Sequence, residues 1–174
     1  MQKRVVGRYS ELGVLSESSN EARDLFNKGR FGIMKKDHVL LSFFEAVYLL
    51  EKDKLVISAA NKELSESTFI KKAQRKIPDF NTKYAVFKDL RDKGYIVKTA
   101  LKFGADFRVY DKGISPGQDH SKWIVYPVHE SEKLTWHSFS AKNRVAHSTK
   151  KHLLIAIVDD EEDITYYDVN WTRP

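Results

Sequence analysis

The run Leu153-Leu154-Ile155-Ala156-Ile157-Val158 constrains this chain more than any other segment. Its apolar residues follow one another without alternation, as expected of a strand buried on both faces. Charges bracket it, with Lys150-Lys151-His152 before the run and Asp159-Asp160-Glu161-Glu162-Asp163 after it. A strand of that kind needs paired neighbours and covering layers, so the segments around it are expected to supply a sheet and helices.

The neighbours have that character. Asn81 is placed to cap a helix running through Lys93, with Gly94 as a left-handed terminator. Beyond it the period changes. Tyr95 to Phe103, Asp106 to Tyr110 and Lys122 to His129 are rich in β-branched and aromatic residues, and Gly104, Gly113, Pro116 and Gly117 break them apart. Three strands are predicted there, followed by a helix from Ser138 to Ser148, the apolar strand, the acidic turn and a last strand from Ile164 to Trp171.

The first half reads as a separate, smaller unit. Lys3 to Tyr9 predicts a strand, and Asn20 a cap for a helix reaching Lys28 ahead of Gly29. Ser42-x-x-Glu45 has the form of a capping box in front of Phe43, Ala46, Val47 and Leu50 at helical spacing. Leu55 to Ser58 predicts an edge strand, and a helix after Ser65 carries Phe69, Ile70 and Ala73 before ending near Pro78. The expected architecture is α+β: a small N-terminal α+β domain (1–80) serving as scaffold, then a C-terminal mixed-sheet α/β domain (81–174). No internal repeat is apparent.

Composition narrows the chemistry. With no cysteine in 174 residues, disulfides, thiolate metal sites and thiol nucleophiles are excluded, leaving oxygen and nitrogen groups. No stretch is long and apolar enough to predict a membrane span, and Met1 to Arg8 is basic without the apolar centre of a secretory signal, so a cytoplasmic location is expected. A formal net charge of +6 suits a polyanionic partner, although a basic surface kept for solubility gives the same figure.

Cutting RNA without a metal needs a base for the 2′-hydroxyl, an acid for the departing 5′-oxygen, and positive charge for the crowded phosphorane. Histidine, lysine and tyrosine cover those tasks. Tyr110 closes a predicted strand, His120 lies in the loop before the next, and Lys151 opens the buried strand, positions where a sheet can hold side chains at one edge. Each has a plainer reading too. A strand-end tyrosine packs with its hydroxyl at the surface, a loop histidine sits idle in solvent, and a lysine marks the solvated start of a strand.

Three blocks in this order carry a resemblance. Tyr95-Ile-Val-Lys-Thr-Ala-Leu-Lys-Phe-Gly-Ala-Asp-Phe-Arg-Val-Tyr110, His120-Ser121, and Arg144-Val-Ala-His-Ser-Thr-Lys-Lys151-His-Leu-Leu-Ile-Ala-Ile-Val-Asp159 resemble the catalytic domain of archaeal tRNA-intron endonucleases. The likeness is specific from Lys83 to Pro174. Earlier it rests on Gly32 and the segment ending at Leu50. It implies a nuclease-like C-terminal domain in which Tyr110 is the base, His120 the acid and Lys151 the stabiliser of the transition state. The implied products are a 2′,3′-cyclic phosphate and a 5′-hydroxyl, with no cofactor. An unperturbed phenol, with a pKa about 10, is a poor base near neutrality, so His120 as base and Tyr110 as positioning group stays an alternative.

The resemblance also implies that Arg144 stacks its guanidinium on a flipped-out base of the substrate, a contact suited to single-stranded RNA. Tyr166 stands where some relatives carry a second arginine. Ala100 replaces a frequent glycine, and Thr149 a common valine. The partners implied are precursor tRNA and other subunits, in a homotetramer or in a heterotetramer with a noncatalytic relative. The acidic turn Asp159, Asp160, Glu161, Glu162 and Asp163 would dock into a basic cleft of a neighbouring subunit. Read without the resemblance, that turn is a solvated tip, and its spacing is not that of a calcium loop. His129, His137, His147 and His152 show no zinc-helix spacing, and Trp123, Trp136 and Trp171 read as core or interface residues before RNA-stacking ones. Two rival functions remain at this stage: a noncatalytic RNA-binding subunit of the same assembly, and a metal-dependent nuclease.

Overall fold

The computed structural model describes residues 3–114, 117 and 120–174; Met1 and Pro116, both used in the sequence reading, lie outside the described residues. The chain divides into two compact units, Met1–Phe80 and Asn81–Pro174. Among the described residues the strands form one sheet of six and one of five, so the α+β class holds for the chain.

The first unit runs β1 (Val5–Ser10), β2 (Gly13–Ser16), α1 (Asn20–Asn27), β3 (Ile33–Lys35), β4 (His38–Leu41), α2 (Phe43–Glu51), β5 (Leu55–Ala59), β6 (Lys62–Glu63) and α3 (Glu66–Lys76). Its sheet has the order β3-β4-β2-β1-β5-β6. The capping box forms as expected: Ser42 Oγ accepts from the Glu45 amide, and Glu45 Oε2 accepts from the Ser42 amide at 2.9 Å. Glu45 is nearly inaccessible, and its other oxygen accepts from the Gly32 amide at 2.8 Å, so one carboxylate ties the start of α2 to the turn before β3. Gly32 has φ of 66°, and a Cβ there would lie 2.4 Å from Val39. Phe43 through Leu49 are all buried, which makes α2 the centre of this unit, with Phe69 and Ala73 of α3 packed fully out of solvent.

Four details of this unit depart from the sequence reading. The cap of α1 is Ser19, whose side chain accepts from the Ala22 amide, and Asn20 is already helical. The strands β2, β3, β4 and β6 were not anticipated; each is two to four residues long. β5 is no edge strand, because it pairs in parallel with β1 and antiparallel with β6. Ile70 stays half-buried where Phe69 and Ala73 are buried.

The second unit continues with α4 (Phe80–Asp92), β7 (Ile96–Thr99), a single 3-10 turn at Leu101–Phe103, β8 (Phe107–Tyr110), β9 (Trp123–His129), α5 (Trp136–Ser148), β10 (His152–Val158) and β11 (Ile164–Val169). The sheet order is β11-β10-β9-β8-β7. Only β9 and β10 are parallel, and α5 makes the crossover that parallel pairing requires. Phe107 and Val109 face α4, with the Phe87 ring 5.8 Å from Phe107. Ile124, Tyr126 and Leu153 face α5 and pack with Ala146. Cross-strand partners share a face, so Arg108, paired with Ile124, projects on the α5 side, as does Tyr110 two residues on.

Here too boundaries move. α4 begins at Phe80, leaving Asn81 inside its first turn. The strand expected from Tyr95 to Phe103 stops at Thr99, where the Ala100 amide bonds to Asp106 O and the chain turns. α5 starts two residues before Ser138, capped by Thr135. Within β10, Leu153, Leu154, Ala156 and Val158 are buried while Ile155 and Ile157 are half-buried, so burial on both faces is incomplete. β11 ends at Val169, before Trp171. Pro127 sits inside β9 without breaking the sheet, because β8 pairs only as far as Val125 and leaves β9 the single neighbour β10.

Candidate active site

The register of the second sheet determines which residues meet. β8 runs antiparallel to β9, and β9 parallel to β10, with Trp123 opposite both Val109 and His152. The end of β8, the start of β9 and the start of β10 therefore share one edge of the sheet. Two backbone bonds stitch that edge, from Lys122 N to Val109 O and from His152 N to Lys122 O, each 2.9 Å. Tyr110, His120 and Lys151 are the residues the chain places there.

Lys151 is aimed by the end of α5. The Lys151 amide bonds to Ala146 O at 2.9 Å and the Lys150 amide to His147 O at 3.0 Å, the paired closure of a Schellman motif. Lys150 fills the left-handed position usually given to glycine, with φ of 56°. Thr149 adds its hydroxyl, which donates to Val145 O and Ala146 O. The Lys151 ammonium donates to Thr149 O at 3.0 Å and lies 5.5 Å from the Phe103 ring centre. Burial lowers its pKa below that of an ordinary lysine, and the nearby Arg108 charge lowers it further.

Tyr110 is almost fully buried, and the Arg108 guanidinium stands 5.9 Å from its ring centre. Together with Phe103, Gly117, His120, Ser121 and Lys151, these two residues line a cavity of about 390 Å³. Among the described residues its wall contains no carboxylate. Among the described residues the cavity offers a phenol, an imidazole, an ammonium and a guanidinium, a donor set matched to a phosphodiester. Arg108 and Ser121 were not picked out from the sequence. The signal for Arg108 was available: a residue two before Tyr110 on a strand shares its face.

The other candidates lie elsewhere. Arg144 is exposed on α5, and its Nε reaches only Ser140 O at 3.4 Å; among the described residues it forms no ion pair. Tyr166 points to the α4 side, where its hydroxyl donates to Asp89 Oδ2 at 2.6 Å and Lys93 lies 5.1 Å from its ring centre. Burial, then the Asp89 hydrogen bond and charge, push the Tyr166 pKa far above the usual phenol value. The acidic residues form the turn after β10. Asp159 Oδ1 accepts from the Glu161 and Asp163 amides, both at 2.9 Å, and His129 pairs with Asp160 at 3.2 Å. Carboxylate oxygens of Asp159, Glu161 and Asp163 come within 4.8 Å of one another. Those two amide bonds already organise the Asp159 carboxylate as the hub of a tight turn.

Among the remaining histidines and tryptophans, several have structural partners. Asp168 accepts from Trp123 Nε1 at 3.2 Å and lies 3.1 Å from His152 Nδ1, while the His147 and Trp171 rings are 4.5 Å apart. Trp136 departs from the core reading, being 83% exposed at the start of α5. No helix among the described residues is long and apolar enough to cross a membrane.

A five-stranded mixed sheet with a helix on each face, carrying phenol, imidazole and cationic groups at one edge, defines the class: an α+β protein with a cavity lined by titratable groups in its second unit. Comparison with known proteins makes this specific. Residues 80–166 match the model of the tRNA intron endonuclease catalytic C-terminal domain, and residues 5–70 match that of its N-terminal domain. A tRNA-splicing endonuclease of Methanothermobacter thermautotrophicus is 42% identical over 171 residues, covering 98% of this chain and 99% of that protein. The tRNA-splicing endonuclease of Pyrococcus furiosus is 42% identical over 160 residues, 92% of each chain. That of Nanoarchaeum equitans is 46% identical over 140 residues, 77% of this chain and 90% of the other. The chain belongs to the tRNA-intron endonuclease family.

Proposed function

We propose that this protein is a tRNA-splicing endonuclease that cleaves precursor tRNA at intron boundaries within a bulge-helix-bulge, in the cytoplasm and without a metal. The observation that carries the reading is the single cavity lined by Tyr110, His120 and Lys151, residues separated along the chain and gathered by strand register.

The chemistry follows from that set. One group of the Tyr110–His120 pair takes the proton of the 2′-hydroxyl, and the 2′-oxygen attacks the adjacent phosphorus. The bond from phosphorus to the 5′-oxygen breaks, and that oxygen receives a proton from the acid, His120 in the preferred assignment. Lys151 offsets the negative charge that builds on the phosphorane. Atoms balance as a transesterification, which leaves a 2′,3′-cyclic phosphate on one fragment and a 5′-hydroxyl on the other. Arg144, exposed and free of carboxylate partners among the described residues, is suited to stack on an unpaired base.

The substrate carries two cleavage sites, so two active sites held at a fixed separation are required, and the working form is a homotetramer or a heterotetramer with a noncatalytic relative. Edge strand β11, with Tyr167 54% exposed and Trp171 just beyond its end 50% exposed, offers one pairing surface. The exposed acidic turn is suited to dock against a basic region of a neighbouring subunit, and the first unit serves as scaffold. Incubating the purified protein with an intron-containing precursor tRNA in EDTA, and analysing the fragment ends, tests the reading. Cyclic phosphate and 5′-hydroxyl ends are expected. Cleavage lost in EDTA and regained with magnesium would instead assign a metal-dependent nuclease.

A further inference from the structure

We propose that Arg108 is a fourth working group of the cleft, which holds a nonbridging oxygen of the scissile phosphate and shares with Lys151 the charge of the phosphorane. The inference rests on the reading of this cavity as an RNA-cleaving site.

Geometry gives Arg108 access to the same phosphate. It lies on β8 two residues before Tyr110, so both side chains leave the same face of the sheet, and both line the cavity with His120, Ser121 and Lys151. Its guanidinium lies over the Tyr110 ring, 5.9 Å from the ring centre.

Among the described residues, no carboxylate on the cavity wall answers its charge. Arg108 Nε is buried, and no hydrogen-bond acceptor meets it among the described residues. Buried donors are nearly always paired, and a half-buried arginine commonly finds a carboxylate, yet the described wall of this cavity contains none. Another cation shares the cavity, and the Arg108 charge opposes the protonation of Lys151. Two cations facing one cavity, with no carboxylate on its described wall, repel each other. A phosphodiester, which becomes more negative as the phosphorane forms, turns that repulsion into attraction that grows toward the transition state. Guanidinium is the cation best shaped for the task, because its planar donors match two phosphate oxygens at once. No proton leaves or reaches Arg108 in this role.

The test is single-turnover cleavage of precursor tRNA by Arg108→Ala, Arg108→Gln and Arg108→Lys, with His120→Ala as reference. Unfolding midpoints are measured for each variant, and Arg108→Gln keeps much of the side-chain shape if the alanine variant is poorly folded. Removing one preorganised donor is expected to lower the cleavage rate by about 10²–10³-fold. Affinity for a substrate with a 2′-deoxy residue at the cleavage site should fall less than about tenfold, the share of one phosphate contact. Millimolar guanidinium should restore part of the rate to Arg108→Ala and leave His120→Ala unchanged, which a packing role would not produce. Arg108→Lys should recover part of the loss. A folded Arg108→Ala or Arg108→Gln protein that cuts within a few-fold of wild type overturns the proposal. So does a loss that neither lysine nor guanidinium relieves. If wild type fails to cut, or His120→Ala cuts as well as wild type, the reading of the cavity itself falls, and that result is distinct from one confined to Arg108.

Discussion

At its first residue β10 emerges from Lys150-Lys151, and at its last it runs into Asp159, so one strand of roughly 20 Å joins a cationic end to an acidic one. The two ends treat charge in opposite ways. Lys151 is half-buried beside Arg108, and both effects disfavour its charged form. Across the strand, Asp160, Glu161, Glu162 and Asp163 are exposed, and Asp159 is held by the amides of its own turn. Charge that is costly to keep in place signals a site awaiting an opposite charge of defined position, whereas charge spread in solvent serves long-range attraction or solubility.

The contrast is sharpest at the cleft, where the largest effect is expected. Changing His120 to Ala should lower cleavage about 10²–10⁴-fold, the usual contribution of a positioned acid or base, with RNA affinity largely kept. Retained cutting by the folded variant in a precursor tRNA assay would remove His120 from the chemistry. Next, Lys151→Ala should cost about 10²–10³-fold in single-turnover rate, as expected for one electrostatic stabiliser. If its loss instead weakens only binding, the cationic end is no different in kind from a surface patch.

At the opposite end, reversing the charges from Asp159 to Asp163 should lower the assembly mass seen by light scattering and leave the protomer's unfolding midpoint nearly unchanged. An unaltered mass would make this turn a solvated tip and nothing more. The smallest effect belongs to Tyr166, which faces neither end. Losing its hydrogen bond to Asp89 in Tyr166→Phe should cost about 1–2 kcal/mol of stability in urea unfolding. The sign with pH is fixed by the raised phenol pKa. The contribution is complete below the ordinary phenol value near 10 and is lost as pH rises toward the higher folded value, because only the unfolded chain releases its proton there. The alkaline decline should therefore be weaker in the phenylalanine variant.

What the sequence disclosed and what it hid differ by the range of the interactions involved. The capping box of α2 was legible because Ser42 and Glu45 settle it between themselves. Both long helices of the second unit end in the same bonding pattern, but only one ending could be read. Gly94 announces the left-handed residue after α4, while Lys150 adopts the same conformation after α5 without the residue type that advertises it. Likewise β5 looked like an edge strand because its parallel partner β1 is distant in sequence, and β2 to β4 are too short to show a period. Tyr110, His120 and Lys151 were recognisable as a set through resemblance, yet their meeting depends on nonlocal register that spacing does not encode. Arg108 went unnoticed although strand alternation puts it beside Tyr110.

The start of β8 at Phe107, opposite Val125, has a mechanical consequence. Level with Arg108 the described residues carry five strands side by side, but level with Val158 only β9, β10 and β11 remain paired. Stiffness should thus fall along β10 from Leu153 to Val158, a gradient that amide hydrogen exchange would trace as progressively faster opening. Such a gradient anchors the groups that must hold position and gives the far tip the compliance to adjust to whatever surface it meets.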